Sequence, residues 1–306
     1  MLERVEYRST SESQASALVY YRSPLLAAAS VPHAFSTRLG GISSGSFTSL
    51  NLGNPTDQPL QDDSARLDAN YARLLAAIGL DDTLRAWVQQ IHSSRVEQVE
   101  PLDGQTYPAG LERQPLAELL AEHFHGQRQA DALITELPRV VLTVRVADCV
   151  PLLLASADGR VVAAVHAGWR GVINNIAGRA LRAFGEMGVR PRDVIAAIGP
   201  CISQRHFAVG LEVASFFDLA HLSKAVDRSG SQGGGIAEGG KPHVDLRRAL
   251  QLQLEEAGVK GEHIDMPQTA AGEDLCTFAR ADEFYSHRRE KGLTGRMAAV
   301  IARRKV

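Results

Sequence analysis

Val161-Val-Ala-Ala-Val-His166-Ala-Gly-Trp-Arg-Gly171 decides how this chain is read. The apolar run Val161 to Val165 ends at His166, a glycine-containing turn follows, and Ile173, Ile176, Ala180, Leu181 and Phe184 then recur at helical spacing. A short apolar run bounded by turn residues reads as a buried strand. The segment is therefore strand, turn and helix, and α/β enzymes often place their chemistry at such strand ends.

Working outward, the same grammar repeats. Val140 to Val146 is β-branched and leads into Ala147-Asp-Cys149. Pro151 restricts the residue before it, which places Cys149 near a strand end or bulge. Earlier, Trp87, Gln89 and Ile91 alternate with Val88 and Gln90 as a strand, His92-Ser-Ser94 begins a turn, and Val96 to Val99 returns. Ser64 reads as the cap of a helix through Leu67, Tyr71, Leu74, Leu75 and Ile78, stopped by Gly79. On the other side, Val194 to Ile198 is a strand ending at Gly199-Pro-Cys201. Asp245 caps a helix through Leu246, Leu250 and Leu254, with Gly258 past its end, and Met297 to Ala302 is a final strand. The Gly/Ser-rich stretch from Arg38 to Gly53 matches neither the dinucleotide nor the P-loop pattern. Residues 103–129 read as an insertion carrying a short amphipathic helix, and 229–240 as a mobile glycine-rich loop. With no repeat and no linker, the expectation is a single domain over 1–306 that mixes strands and helices.

Composition bounds the function. The chain has 306 residues, 44% hydrophobic and 22% charged, with a formal net charge of −2. That is globular material without the basic excess that points to nucleic acid or an anionic membrane, so a small molecule in a pocket is expected. No run approaches the ~20 apolar residues of a membrane span. Cys149, Cys201 and Cys276 are too few, and odd in number, for a disulfide framework. They fit a reducing, cytoplasmic setting in which a thiolate stays free for metal or nucleophilic work.

His92, Cys149 and His166 all follow predicted strands, whose ends converge in space. Two imidazoles and a thiolate suit Zn²⁺ and leave a fourth position open for water; a His₂Cys set also binds copper. Read without a metal, Cys149 is a small buried hydrophobe and the histidines are ordinary strand-end residues, or Cys149 is a nucleophile with His166 as its base. His123-Phe-His125, placed on a helix, sends its rings to different faces and does not chelate. Cys276 with His287, Arg288 and Arg289 could form a Cys–His hydrolase pair, but reads first as core packing beside arginines that bind an anion or an acidic side chain, and Cys201 also reads as packing. Arg38 and Arg170 flank glycine turns and are candidates to hold phosphate, or else make surface ion pairs.

Taken in order, several short motifs carry a resemblance. They are Phe35-Ser-Thr-Arg-Leu-Gly-Gly-Ile-Ser43, Ser49-Leu-Asn-Leu-Gly53, Gln90-Ile-His92 with Arg95-Val96, Ala130-Asp-Ala-Leu-Ile134, Ala147-Asp-Cys149-Val-Pro-Leu152, His166-Ala-Gly-Trp-Arg-Gly171, Ile198-Gly-Pro-Cys-Ile202 and Ser286-His-Arg-Arg289. With them the chain resembles the laccase-domain, or YfiH-like, family of purine nucleoside phosphorylases, once described as multicopper polyphenol oxidases. The resemblance implies a three-layer α/β/α sandwich with a mixed sheet, and zinc held by His92, Cys149 and His166. It also implies phosphorolysis of adenosine, inosine, guanosine and methylthioadenosine, with adenosine deamination as a second activity. On this reading Cys149 and His166 serve catalysis, Asp148 is a candidate acid by position, and Arg38, Arg170 and Arg288 are candidates for phosphate. Some family members are described as peptidoglycan editing factors, and the fold is similar to that of a glutamine-deamidating bacterial toxin, which keeps a metal-free Cys–His hydrolase in view. A copper oxidase of phenols is the further alternative. Ser93 and His287 stand where the family usually has Gly and Tyr, which bears on substrate preference rather than on the metal.

Overall fold

The structure is a computed structural model that describes residues 1–8, 16–55, 58–100, 124–229 and 240–304. Fifteen strands are described: β1 (Glu3–Tyr7), β2 (Leu18–Arg22), β3 (His33–Ser36), β4 (Leu84–Gln89), β5 (Val96–Gln98), β6 (His125–Gln129), β7 (Ala132–Thr135), β8 (Val140–Val146), β9 (Val150–Ser156), β10 (Val162–Ala167), β11 (Val194–Ile198), β12 (Val226–Asp227), β13 (His243–Val244), β14 (Ile264–Asp265) and β15 (Met297–Ala302). The helices are α1 (Pro24–Ala28), α2 (Ser64–Ala77), α3 (Trp169–Ile173), α4 (Ile176–Glu186), α5 (Leu211–Leu219) and α6 (Leu246–Glu256). A seven-stranded sheet runs β1-β2-β3-β15-β8-β4-β6 and a six-stranded sheet runs β14-β11-β9-β10-β7-β5. Both are mixed: β4 lies parallel to β8 and β6, β7 to β5, and β11 to β14, while the remaining neighbours are antiparallel.

Period-two alternation explains the layers. On β8, Val140, Leu142, Val144 and Val146 face one core and Val141 another; on β15, Met297, Ala299 and Ile301 separate in the same way from Ala298, Val300 and Ala302. Leu153 and Ala155 of β9 and Val162 and Ala164 of β10 join the first core, which therefore lies between the two sheets. Leu152, Leu154, Ala163 and Val165 turn the other way and pack on α4, α5 and α6. Tyr71, Leu74 and Leu75 of α2 cover the far face of the seven-stranded sheet. The mixed β layer between helices is thus as expected in class, but it is double. Both faces of each central strand are buried, which is why these strands read as continuous apolar runs.

Three local expectations are corrected, and a fourth falls outside the described residues. Asp63, not Ser64, caps α2, its carboxylate accepting from Ala65 N at 2.8 Å. The helix expected through Ile173 and Phe184 is two, α3 and α4, because Asn175 takes a left-handed conformation and its side chain caps Gly178 N at 3.0 Å. Of the expected insertion, 103–123 lies outside the described residues, His123 with it, but His125–Gln129 is the edge strand β6, so His125 is on a strand and stacks on Trp87. Of the expected glycine-rich loop, 230–239 lies outside the described residues. No helix among the described residues is long and apolar enough to cross a membrane.

One buried group gives the fold an acid limit. His33 Nδ1–H donates to the Val31 carbonyl at 2.8 Å, and Nε2 accepts from Ser23 N at 2.7 Å. Burial holds its pKa down to about 4, so the folded protein keeps it neutral while an unfolded chain takes up a proton near pH 6.5. The associated stability is present above about pH 6.5 and is lost as pH falls towards 4, about 3 kcal/mol in all at 1.36 kcal/mol per pKa unit. Urea unfolding of the His33→Gln variant at pH 7 and pH 4.5 should show a flatter dependence on pH than the parent. Equal slopes would remove His33 from the acid limit.

Candidate metal centre

The centre forms where the two sheets meet. β8 belongs to one sheet and β9 to the other, and the corner Ala147-Asp148-Cys149 carries the chain across. On β10, His166 keeps the phase of Val162 and Ala164, so its ring continues the inter-sheet layer at the strand end. His92 follows β4 in a left-handed turn, φ 58°. One ligand atom from each of His92, Cys149 and His166 lies within 4.8 Å of the others, with Sγ 4.0 Å from His92 Nε2. Gly168 makes this approach feasible: a Cβ there would sit 2.9 Å from His92 Cδ2 and 3.3 Å from Sγ.

Asp131, quoted in the Ala130–Ile134 motif but given no role from sequence, holds the arrangement together. It is fully buried. Oδ1 accepts from His166 Nδ1 at 2.8 Å and from His92 N at 3.0 Å; Oδ2 accepts from Ser93 N at 2.5 Å and Ser93 Oγ at 2.7 Å. One carboxylate thus fixes the tautomer of one ligand and the backbone turn of another, leaving His166 Nε2 for the thiol side. The Ser93 hydroxyl therefore acts on the orienting carboxylate rather than on the rim of the site. Burial alone would raise Asp131, but the bonds from His166 and Ser93 outweigh it and lower its pKa.

The electrostatics favour a ligand set. Burial alone would raise the Cys149 thiol, yet His166 and His92 pull it down to about 6. Burial alone would lower His166, yet the charges of Cys149 and Asp131 raise it to about 9. Thiolate and imidazolium stabilise each other, and a metal ion bound by the trio would take the place of the shared proton. A tetrahedral ion with bonds of about 2.0–2.3 Å needs neighbouring donors about 3.3–3.6 Å apart, which the trio reaches with a small inward movement. The donor set fits zinc, and a His₂Cys set fits copper as well. No second group of three such ligands is present among the described residues.

The trio lines a cavity of about 460 Å³. The seven-stranded sheet and its loops contribute Asn54, Gln89, Gln90, Arg145 and Arg296, while the helical side contributes Trp169, Arg170, Ile202, Phe207 and Leu246. Arg170 lies over Trp169, and Arg288 lies over Phe207 and donates to the Ala208 carbonyl at 3.0 Å. Arg38 does not line this cavity. Its guanidinium donates to the Thr48 and Ala281 carbonyls and lies over Tyr285, so it ties the glycine-rich loop down. Asp148 lines the cavity, but its oxygens accept from Thr277 Oγ1, Ser286 Oγ and Arg288 N at 2.7–3.0 Å. The Cys276–His287 pairing does not form: Cys276 is buried with its sulfur 3.5 Å from His206 Nδ1, and His287 lines the cavity. Arg289 donates to the Thr277, Phe278 and Phe284 carbonyls and is structural. Cys201 packs against Arg247, and burial pushes its thiol up to about 12.

Known proteins share this frame. A Deinococcus radiodurans protein named purine nucleoside phosphorylase is 35% identical over 283 residues, covering 92% of this chain and 91% of its own. An Escherichia coli protein named purine nucleoside phosphorylase YfiH is 32% identical over 266 residues, covering 87% and 91%. The crystal structure of YlmD from Geobacillus stearothermophilus superposes with a TM-score of 0.72 at 26% identity, covering 99% of this chain and all of that one. The family model described as multi-copper polyphenol oxidoreductase laccase matches residues 32–304, a span that holds every residue of the trio and its carboxylate, and the chain belongs to that family.

Proposed function

We propose that this chain is a zinc-dependent purine nucleoside phosphorylase acting on adenosine, inosine, guanosine and methylthioadenosine, with adenosine deamination as a second activity. The observation that carries the reading is the convergence of two imidazoles and a low-pKa thiol in a cavity rimmed by arginines. The names of the relatives support the substrate class. About 460 Å³ falls in the range of small-ligand pockets. A zinc ion held by His92, Cys149 and His166 would supply a Lewis acid with one open position.

The remaining roles belong to the chain's own side chains. Asp131 keeps the proton on His166 Nδ1 and so presents Nε2 as a donor. Trp169 and Phe207 bring aromatic surface to the cavity for contact with a purine, and the arginines lying over them offer charge for phosphate. Asp148, with three donors on its oxygens, anchors the segment that brings His287 and Arg288 to the cavity rather than acting as an acid. In phosphorolysis the glycosidic C–N bond breaks, a C1′–O bond to phosphate forms, and the base leaves with a proton. Three free thiols suit a reducing compartment, and we place the protein in the cytoplasm.

Zinc-loaded protein should convert inosine to hypoxanthine and ribose 1-phosphate only when phosphate is present, and adenosine to inosine and ammonia without it. Release of no base under these conditions would end the phosphorylase reading. The Cys149, His166 and Asp131 line-up also has the form of a nucleophile, base and orienting carboxylate, which supports a metal-free hydrolase as the second reading. Chelation separates the two: activity lost to a chelator and restored by zinc belongs to the metalloenzyme, and activity indifferent to chelation but stopped by iodoacetamide belongs to the hydrolase.

A further inference from the structure

Arg145 breaks the pattern of its strand. It is the one charged residue in the apolar run Val140–Val146. It shares the phase of Val141 and Thr143, which face away from the inter-sheet core, and it comes last, where β8 reaches the cavity. The side chain is half-buried, yet no carboxylate pairs with it among the described residues. Its guanidinium lies over Trp87, 4.6 Å from the ring centroid, and makes one long bond, Nη2 to the Val88 carbonyl at 3.4 Å. Burial, and the nearby charge of Arg85, lower its pKa from the ordinary value. An arginine stays charged in a protein, and a partly desolvated charge without a partner is unfavourable unless something supplies the opposite sign.

The chain also holds Arg145 with unusual care. The Gln90 side chain bonds both backbone groups of Arg145: Nε2 donates to its carbonyl and Oε1 accepts from its N–H, each at 2.8 Å. Gln90 stands two residues before the ligand His92, so the clamp ties the register of β8 to that of the metal centre. Gly53 closes the other side, because a Cβ there would sit 2.7 Å from Arg145 Cδ. Among the described residues Asp148 is the only carboxylate lining the cavity, and its oxygens are occupied.

We propose that Arg145 is the receptor for an oxyanion of the phosphate class inside this cavity. Arg145 lines the cavity, and a planar guanidinium matches the bidentate geometry of phosphate oxygens. Assignment of that oxyanion to the co-substrate of phosphorolysis rests on the functional reading above; the binding site itself does not. Gln90 is a positioning residue that acts through Arg145, and the glycine of the Ser49–Gly53 motif keeps room for the same side chain.

The test is direct binding to zinc-loaded protein, by calorimetry and by ³¹P NMR line broadening, with two probes: inorganic phosphate and a nucleoside 5′-monophosphate. The parent should bind at least one of them, and Arg145→Gln should weaken that binding about tenfold or more, as loss of a charge-assisted pair requires. Binding of phosphate identifies the co-substrate as the source; binding of the monophosphate alone identifies an esterified ligand. Gly53→Ala keeps the charge and displaces the side chain, so it should also weaken binding, which guards against misfolding of the Gln variant; zinc content and far-UV circular dichroism check both. In turnover, Arg145→Gln should raise KM for phosphate far more than KM for inosine. Parental affinity for both probes in the two variants, or no binding of either probe to the parent, overturns the site. Binding that depends on Arg145 in a protein that never cleaves inosine keeps the site and rejects phosphorolysis.

Discussion

Cys149→Ala is expected to leave the purified protein without bound metal and to lower phosphorolysis of inosine on the order of 10³-fold or more. The reason lies in the donor set. Cys149 supplies the only sulfur of the trio, and its thiol is held down at about 6 by the two imidazoles beside it. Two histidines alone are a weak zinc site, because structural and catalytic zinc sites use three or four protein ligands. The fold should survive, since Cys149 is half-buried at a corner outside the strands and alanine removes one sulfur without leaving a buried charge. Melting temperatures of metal-free parent and variant should therefore be close, while zinc raises only the parent's, by mass action. Emission spectroscopy for zinc and a coupled assay for released hypoxanthine check this. Full metal content or parental turnover in the variant would contradict it.

Asp131→Asn is expected to weaken zinc binding about 10–100-fold, the usual cost of losing the partner that orients a metal-bound histidine. The change is nearly isosteric but turns an acceptor towards a donor. If the amide nitrogen faces His166 Nδ1, the imidazole must accept there and carry its proton on Nε2, the atom meant for the metal. If the nitrogen faces Ser93 instead, it confronts the backbone N–H that now donates at 2.5 Å. Either way a buried donor loses its acceptor, so stability should fall by about 1–3 kcal/mol. Competition against a zinc chelator and urea unfolding of the metal-free proteins measure the two effects separately. Unchanged zinc affinity would mean that His166 does not need its carboxylate.

The legibility of this molecule follows from what its residues signal locally. β8, β11 and β15 were readable to the residue because strands buried on both faces are apolar throughout. β9 was not, because Pro151 reads as a breaker. It is the second residue of the strand, opposite His166, where one missing N–H removes little of the ladder. β6, His-Gly-Gln-Arg-Gln, has no apolar alternation at all, since it is a solvated edge strand whose pairing with β4 is a tertiary fact. His92, Cys149 and His166 were candidates by chemistry, but their convergence depends on a second sheet stacked against the first. Asp131 was hidden because nothing in its sequence neighbourhood announces a bond to a histidine 35 residues on. Arg145 carries its signal in the sequence, a charge inside an apolar strand. Arg38 misled because a glycine-rich turn suggests phosphate, whereas here the arginine serves the loop's own carbonyls.

The most direct measurement is X-ray absorption at the zinc edge on the purified protein, set beside its metal stoichiometry. One zinc per chain is expected, with a first shell of one sulfur at about 2.3 Å and two histidine nitrogens among lighter neighbours at about 2.0–2.1 Å. A shell without sulfur, or sub-stoichiometric metal that washes away, would show that the three side chains do not hold an ion together.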